Sequence, residues 1–333
     1  MIAVPSPVKY VCSLFLIFSL FSCSKNDNSL QNRGGNPSTV TVISDVIYGS
    51  NKDINGNPVS LKLDVYIPAG ATATDKYPFV LFVHGGGFTA GDKSSASVAM
   101  QNFAEAGYTG ATIDYRLDSS IDAETEDPCS IDSVTTQKTV YMSVQDAKAA
   151  MRFMVANADK YHIDVTKIFM VGHSAGAVTV LNSYYLNQSD FNKLIPGIQN
   201  DLGGIDNSDN DLTNTYNVIG IASNSGALPN PNYITSSNVV PMIFFHGGLD
   251  SVIPIKQGHA YYCPNSMYIY GSETLYPRVV SLNTPAVLHV DPTGTHGPYT
   301  QDFLNANEIC FFNSVLSKKV ESGSYTGQQS SCP

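Results

Sequence analysis

The sequence predicts an α/β fold, a mostly parallel central sheet with helices on both faces. Three observations carry that expectation. Apolar runs rich in β-branched and aromatic residues (YPFVLFV, KIFMV, VVPMIFF) read as strands buried on both faces. Segments of helical periodicity separate them, and strands alternating with helices assemble into a parallel sheet. Turns bearing glycine, histidine and aspartate follow the runs directly, at the carboxyl ends of the strands where ligands collect in such sheets.

The N-terminus stands apart from the fold. MIAVPSPVKYVCSLFLIFSLFSC carries one lysine, Lys9, then a short apolar run, the pattern of a secretory signal over residues 1–22. Leu20-Phe21-Ser22-Cys23 resembles a lipobox in which Cys23 would be lipidated, although Phe21 is bulky for its place; an ordinary signal cut nearby is the alternative. Ser24 after the cysteine resembles lipoproteins sorted to an outer membrane, so the expected location is exported and lipid-anchored on a Gram-negative bacterium. Residues 23–38 are polar and suit a flexible tether. Without residues 1–22 the net charge moves from −10 to −11. Scattered acidic residues and no basic cluster argue against a nucleic-acid partner, and against membrane contact other than through the anchor.

Cys129, Cys263, Cys310 and Cys332 remain, an even number in an exported chain, which predicts disulfides. Three connectivities stay open. No CxxC or CxH spacing occurs, so no metal is expected.

The elements follow in order. TVTVISDVIYG and SLKLDVYIP alternate and read as an antiparallel edge pair. YPFVLFVHGGGF is a buried strand ending in glycines, SVAMQNFAEAGY a helix stopped by Gly107, and TGATIDYRL the next strand. Residues 117–137 have no periodicity and read as a loop over a site, or a mobile one. Val144, Ala147, Met151, Met154, Ala158 and Tyr161 make one helical stripe, which is core packing. KIFMVG is a strand, and the segment from Ser174 a helix. Residues 187–216 are polar; Asp206–Asp211 hints at calcium but lacks the glycine and glutamate of an EF-hand, so a solvated loop is expected. NVIGIAS, VVPMIFFHG and TPAVLHVD are strands, and QDFLNANEICFFNSVLS the last helix. The tail 319–333 is expected to be loose unless Cys332 pins it.

Chemistry gathers at the strand ends. Gly172-His173-Ser174-Ala175-Gly176 falls on a strand-to-helix turn, where a GxSxG exposes the serine hydroxyl above the sheet and turns the Ala175 amide toward developing charge. The bland alternative is a helix start made of small residues. His84-Gly85-Gly86-Gly87-Phe88 frees backbone amides after the third strand, and no phosphate-loop spacing is present. A serine nucleophile needs a base oriented by an acid. Asp250 lies just past VVPMIFFHG; its alternative role is capping a helix near Pro254. Among seven histidines, His296 in the loop DPTGTHGPY is free to lean over the sheet, with His289 on the preceding strand as the alternative.

In the order glycine loop, Ser174, Asp250, His296, the chain resembles the α/β-hydrolases, specifically the HGGG and GHSAG carboxylesterase branch. FVHGGGFTAGDK, ATIDYRL, QDAKAAMRFM, IFMVGHSAG and HGGLDSVIP are similar to bacterial acetyl and feruloyl esterases. The resemblance implies an α/β-hydrolase domain over 39–318 without a large cap. It further implies an oxyanion hole from Gly86, Gly87 and Ala175, a structural Asp92 and no cofactor. Ala177 replaces a glycine common in relatives, which should tighten helix packing. The implied activity is hydrolysis of short-chain or carbohydrate-linked esters. An amidase or formamidase on the same residues, or a non-catalytic binding lipoprotein, is the alternative. The segments 117–137 and 187–216 are expected to shape the acyl and alcohol pockets. The chain has no tryptophan, so nineteen tyrosines are the candidates for sugar stacking.

Overall fold

The computed structural model describes residues 40–118, 127–130 and 133–332, which belong to one unit, Ser38–Pro333. The signal segment, Cys23 and the tether lie outside the described residues, as does part of the 117–137 segment.

The strands are β1 (Val40–Lys52), β2 (Pro58–Pro68), β3 (Tyr77–Val83), β4 (Thr109–Ile113), β5 (Ile163–His173), β6 (Val218–Asn224) and β7 (Met242–Gly247). They continue with β8 (Gln257–His259), β9 (Tyr268–Tyr270), β10 (Ala286–Asp291) and β11 (Gly323–Thr326). The helices are α1 (Ser97–Glu105), α2 (Ser133–Ala156), α3 (Ala175–Tyr185), α4 (Gln188–Leu194), α5 (Ile198–Leu202), α6 (Ser272–Ser281) and α7 (Gln301–Leu316). Nine strands form one sheet in the order β1-β2-β4-β3-β5-β6-β7-β10-β11. From β4 to β11 all neighbours are parallel, and β2 runs antiparallel to both β1 and β4, as the alternating N-terminal runs predict. Two apolar cores cover the faces. Val144, Met151 and Met154 of α2, Val178 and Leu181 of α3 and Leu275 of α6 fill one; Met100 and Phe103 of α1 and Phe312 of α7 fill the other. The methionine stripe of α2 is core, as its spacing predicts. Among the described residues no separate cap domain interrupts the sheet.

Three expectations change. Helix α2 starts at Ser133, inside the 117–137 segment. The 187–216 segment is not all loop: Asn187 and Asp190 form a reciprocal capping box that starts α4, and α5 follows. The Asp206–Asp211 run within it is a loop, as expected, with two of its aspartates held by ion pairs. Asp206 meets Lys148 at 2.7 Å, and buried Asp209 lies 3.4 Å from Arg116, which also pairs with buried Asp146 at 2.7 Å. No helix begins near Pro254; the chain there runs into the β8–β9 hairpin.

The tail also gains structure. Residues 323–326 add β11 beside β10, and Cys332 is bonded to Cys310 of α7, which pins the end of the chain. The second disulfide joins Cys129 to Cys263, 134 residues apart.

Candidate active site

Parallel pairing brings the strand ends level. Val83 of β3 is in register with Gly172 of β5, and Gly172 with Ser223 of β6. Ser174 follows β5 as the N-cap of α3, with φ 52° and ψ −120°, a strained conformation for a residue with a side chain. The turn is possible because its flanks are glycine: a Cβ on Gly172 would strike the Gly176 carbonyl, and one on Gly176 the Val83 carbonyl of β3. The Ser174 amide donates to the Asn224 carbonyl at 2.8 Å, tying the turn to β6.

Two loops meet this serine. His296, after β10, places Nε2 2.7 Å from Ser174 Oγ and Nδ1 2.8 Å from Asp250 Oδ2. Asp250, after β7, is fully buried in its side chain, and its Oδ1 accepts the amides of Val252 (2.8 Å) and Ile253 (2.9 Å). Burial alone would push its carboxyl up. Hydrogen bonds from His246 and His296, with the histidine's charge, outweigh this and hold it well below the usual carboxylate range. An ionised Asp250 makes Nδ1 of His296 the N–H, so Nε2 is the lone pair that faces the serine hydroxyl. Asp250 therefore caps no helix; it closes its own tight turn and holds a histidine.

His246 of β7 is the partner that sequence reasoning did not single out. Its Nε2 lies 3.3 Å from Asp250 Oδ2 and 3.0 Å from the Ile253 carbonyl, both acceptors, so Nε2 carries the proton. Its Nδ1 accepts from the Ser272 hydroxyl at 2.8 Å. Nothing in the sequence distinguished it from His84, which also ends a strand before glycine but bonds its own loop and stacks on Tyr115. The alternative base, His289, is not brought to Ser174. It is buried between the rings of Phe245 and Tyr325 and bonds Ser331 of the tail. Burial pushes its imidazole down to about 4. Glu308 of α7 was also unforeseen: wholly buried, it lies 3.5 Å from Nε2 of His173, beside the serine.

The glycine loop approaches from β3. Gly87 and Ala175 line one small cavity together with Ser174; Gly86 does not line it. The Gly86 carbonyl instead accepts the amides of Thr89 and Ala90, and φ values of 119° and 62° at Gly86 and Gly87 explain the need for glycine there. Among the described residues the amides of Gly86, Gly87 and Ala175 have no acceptor. Asp92 caps a short 3₁₀ turn through the Ser94 amide, a structural part. Among the described residues no cluster of three or more His, Cys, Asp or Glu could hold a metal ion.

A nine-stranded, mainly parallel sheet with a strained serine at its central β5–α3 turn is the α/β-hydrolase fold. Comparison with known proteins narrows this. The BD-FAE model, an α/β-hydrolase esterase family, matches residues 63–219, which include the glycine loop and Ser174 and stop short of Asp250 and His296. A carbohydrate esterase from gut microbiota, in truncated form, superposes with TM-score 0.58 at 20% identity, covering 85% of this chain and 99% of that one. An esterase from Thermogutta terrifontis with butyrate bound gives 0.56 at 18% identity, covering 85% and 95%. A probable isoprenylcysteine alpha-carbonyl methylesterase from Oryza sativa subsp. japonica is 33% identical over 116 residues, 35% of this chain. That match spans only 23% of the plant protein's length. The chain has the α/β-hydrolase fold, and its residues 63–219 are similar to the BD-FAE esterase family.

Proposed function

We infer that the protein hydrolyses short-chain or carbohydrate-linked carboxylic esters through an acyl-enzyme, with Ser174, His296 and Asp250 as its catalytic residues. The observation that carries this is the continuous relay from Ser174 Oγ to His296 (2.7 Å) to Asp250 (2.8 Å), with Ser174 lining a cavity. Ser174 attacks the ester carbonyl while its proton passes to His296 Nε2. As the carbon–oxygen bond to the alcohol breaks, that proton goes to the leaving alkoxide. Water then attacks the acyl-serine, giving one proton to His296, and the serine recovers it as the acid departs. Asp250 holds the imidazole tautomer and steadies the imidazolium. The amides of Ala175 and of Gly87, with Gly86 beside it, would receive the oxyanion, each donor contributing ~10²–10³ in kcat.

Likeness to a carbohydrate esterase from gut microbiota supports the carbohydrate-linked part of this reading. We also infer that Cys23 carries the lipid that keeps the enzyme at an outer membrane, which incorporation of labelled palmitate into wild type and Cys23→Ala would test.

The test of the activity is turnover of p-nitrophenyl acetate and butyrate by the full-length protein beside Ser174→Ala. The expected result is turnover by the wild type and a loss of about 10⁴-fold or more in the variant. Inertness of both toward these esters and toward acetylated xylan would discard the reading, and cleavage of p-nitroacetanilide instead would favour the amidase.

A further inference from the structure

The cavity at Ser174 is small and has a larger neighbour. It measures about 50 Å³; with ~10–15 Å³ needed for one water-sized group, that is room for about four heavy atoms. Beside it lies a mostly apolar cavity of about 240 Å³, bounded by Phe191, Leu194 and Ile195 and not reaching Ser174. The two share three walls: Val178 of α3, Met267, and Ile269 of β9.

His296 lines neither cavity. The leaving alcohol must take its proton from His296 Nε2, so the alcohol belongs on the histidine side, where that side chain is 26% exposed. Both cavities then fall to the acyl group. Of the shared walls, Val178 and Ile269 are β-branched, buried and held in regular elements. Met267 differs. It is partly buried, in the hairpin connection after Cys263, with its carbonyl fixed by the Ala260 amide at 2.9 Å and an unbranched side chain free to change rotamer.

Resting on the esterase reading, we propose that Met267 is the partition that sets acyl length. With it in place the acyl group is confined to the small cavity, acetyl to butyryl. Without it the two cavities join into one channel that takes a longer chain.

Met267→Ala and Met267→Leu in the full-length protein test this, with kcat/KM measured for p-nitrophenyl acetate, butyrate and octanoate. Octanoate adds four methylenes to butyrate, and their full burial would amount to ~10²-fold. The octanoate-to-butyrate ratio should rise at least tenfold in the alanine variant and stay near wild type in the leucine variant, which keeps the bulk. An unchanged ratio in an active alanine variant overturns the partition and leaves the esterase reading intact. If the wild type hydrolyses none of these esters, the esterase reading fails, and ligand-observed NMR with methyl octanoate decides the cavity. Binding that strengthens in Met267→Ala retains the partition, and equal or absent binding overturns it.

Discussion

Asp250→Asn should abolish turnover for a reason that can be worked out atom by atom. Oδ1 of Asp250 accepts two backbone amides, at 2.8 and 2.9 Å, and Oδ2 faces N–H groups of two histidines. An asparagine has only one oxygen, and the two amides claim it. Its NH₂ then occupies the Oδ2 position, where it meets the Nδ1–H of His296 donor to donor. The imidazole escapes by moving its proton to Nε2, which now points at the Ser174 hydroxyl and can no longer accept its proton. Inverting the tautomer in this way costs about 10⁴ in kcat in serine triads, or ~5.4 kcal/mol of transition-state stabilisation. The assay is p-nitrophenyl acetate turnover between pH 6 and 9, with circular dichroism confirming the fold. KM should change little, because the carboxylate touches no substrate. A folded Asp250→Asn that keeps more than a tenth of wild-type kcat would refute the assignment.

Two further outcomes follow from charges and cross-links away from the serine. Burial, then the neighbouring Asp146 carboxylate, push Asp209 up to about 7 despite Arg116. The folded state thus keeps a proton that the unfolded chain releases near 3.8. This group favours the fold at low pH, and that contribution is withdrawn as pH rises from about 4 to about 7. Asp209→Asn should flatten the pH dependence of urea stability across that window, and an unaltered slope would count against the shift. Opening Cys129–Cys263, which closes a sequence separation of 134, should cost roughly 4–5 kcal/mol on a chain-entropy account, against about 3 for Cys310–Cys332 with its separation of 22. Paired Cys→Ser variants in urea melts would check the ranking, and equal losses would contradict it.

Much of the fold was legible because its central strands are buried on both faces. β3, β7 and the IFMV half of β5 have no polar alternation to confuse them, and each ends in a glycine turn that marks the working edge. Short polar elements were not legible. β11 is four residues, GSYT, made a strand by its neighbour β10 rather than by its composition. α4 was signalled by Asn187 and Asp190, a capping pair hidden in an Asn/Asp-rich run. Ser174 could be named from its local turn, whereas Asp250 and His296 had to be chosen by order and loop context. His246 left no mark, because its role depends on an aspartate four residues later folding back upon it. The cysteine pairing lay beyond sequence because Cys129 and Cys263 are neighbours only across the assembled fold.

The left-handed backbone at Ser174 has a consequence for how such a protein drifts. An L-residue held there costs the fold roughly 1–3 kcal/mol, and glycine would relieve it. Ser174→Gly should therefore melt higher than the wild type while doing no chemistry. A population screened for solubility or heat resistance alone would tend to lose this serine, and only a screen that also demands turnover would keep it.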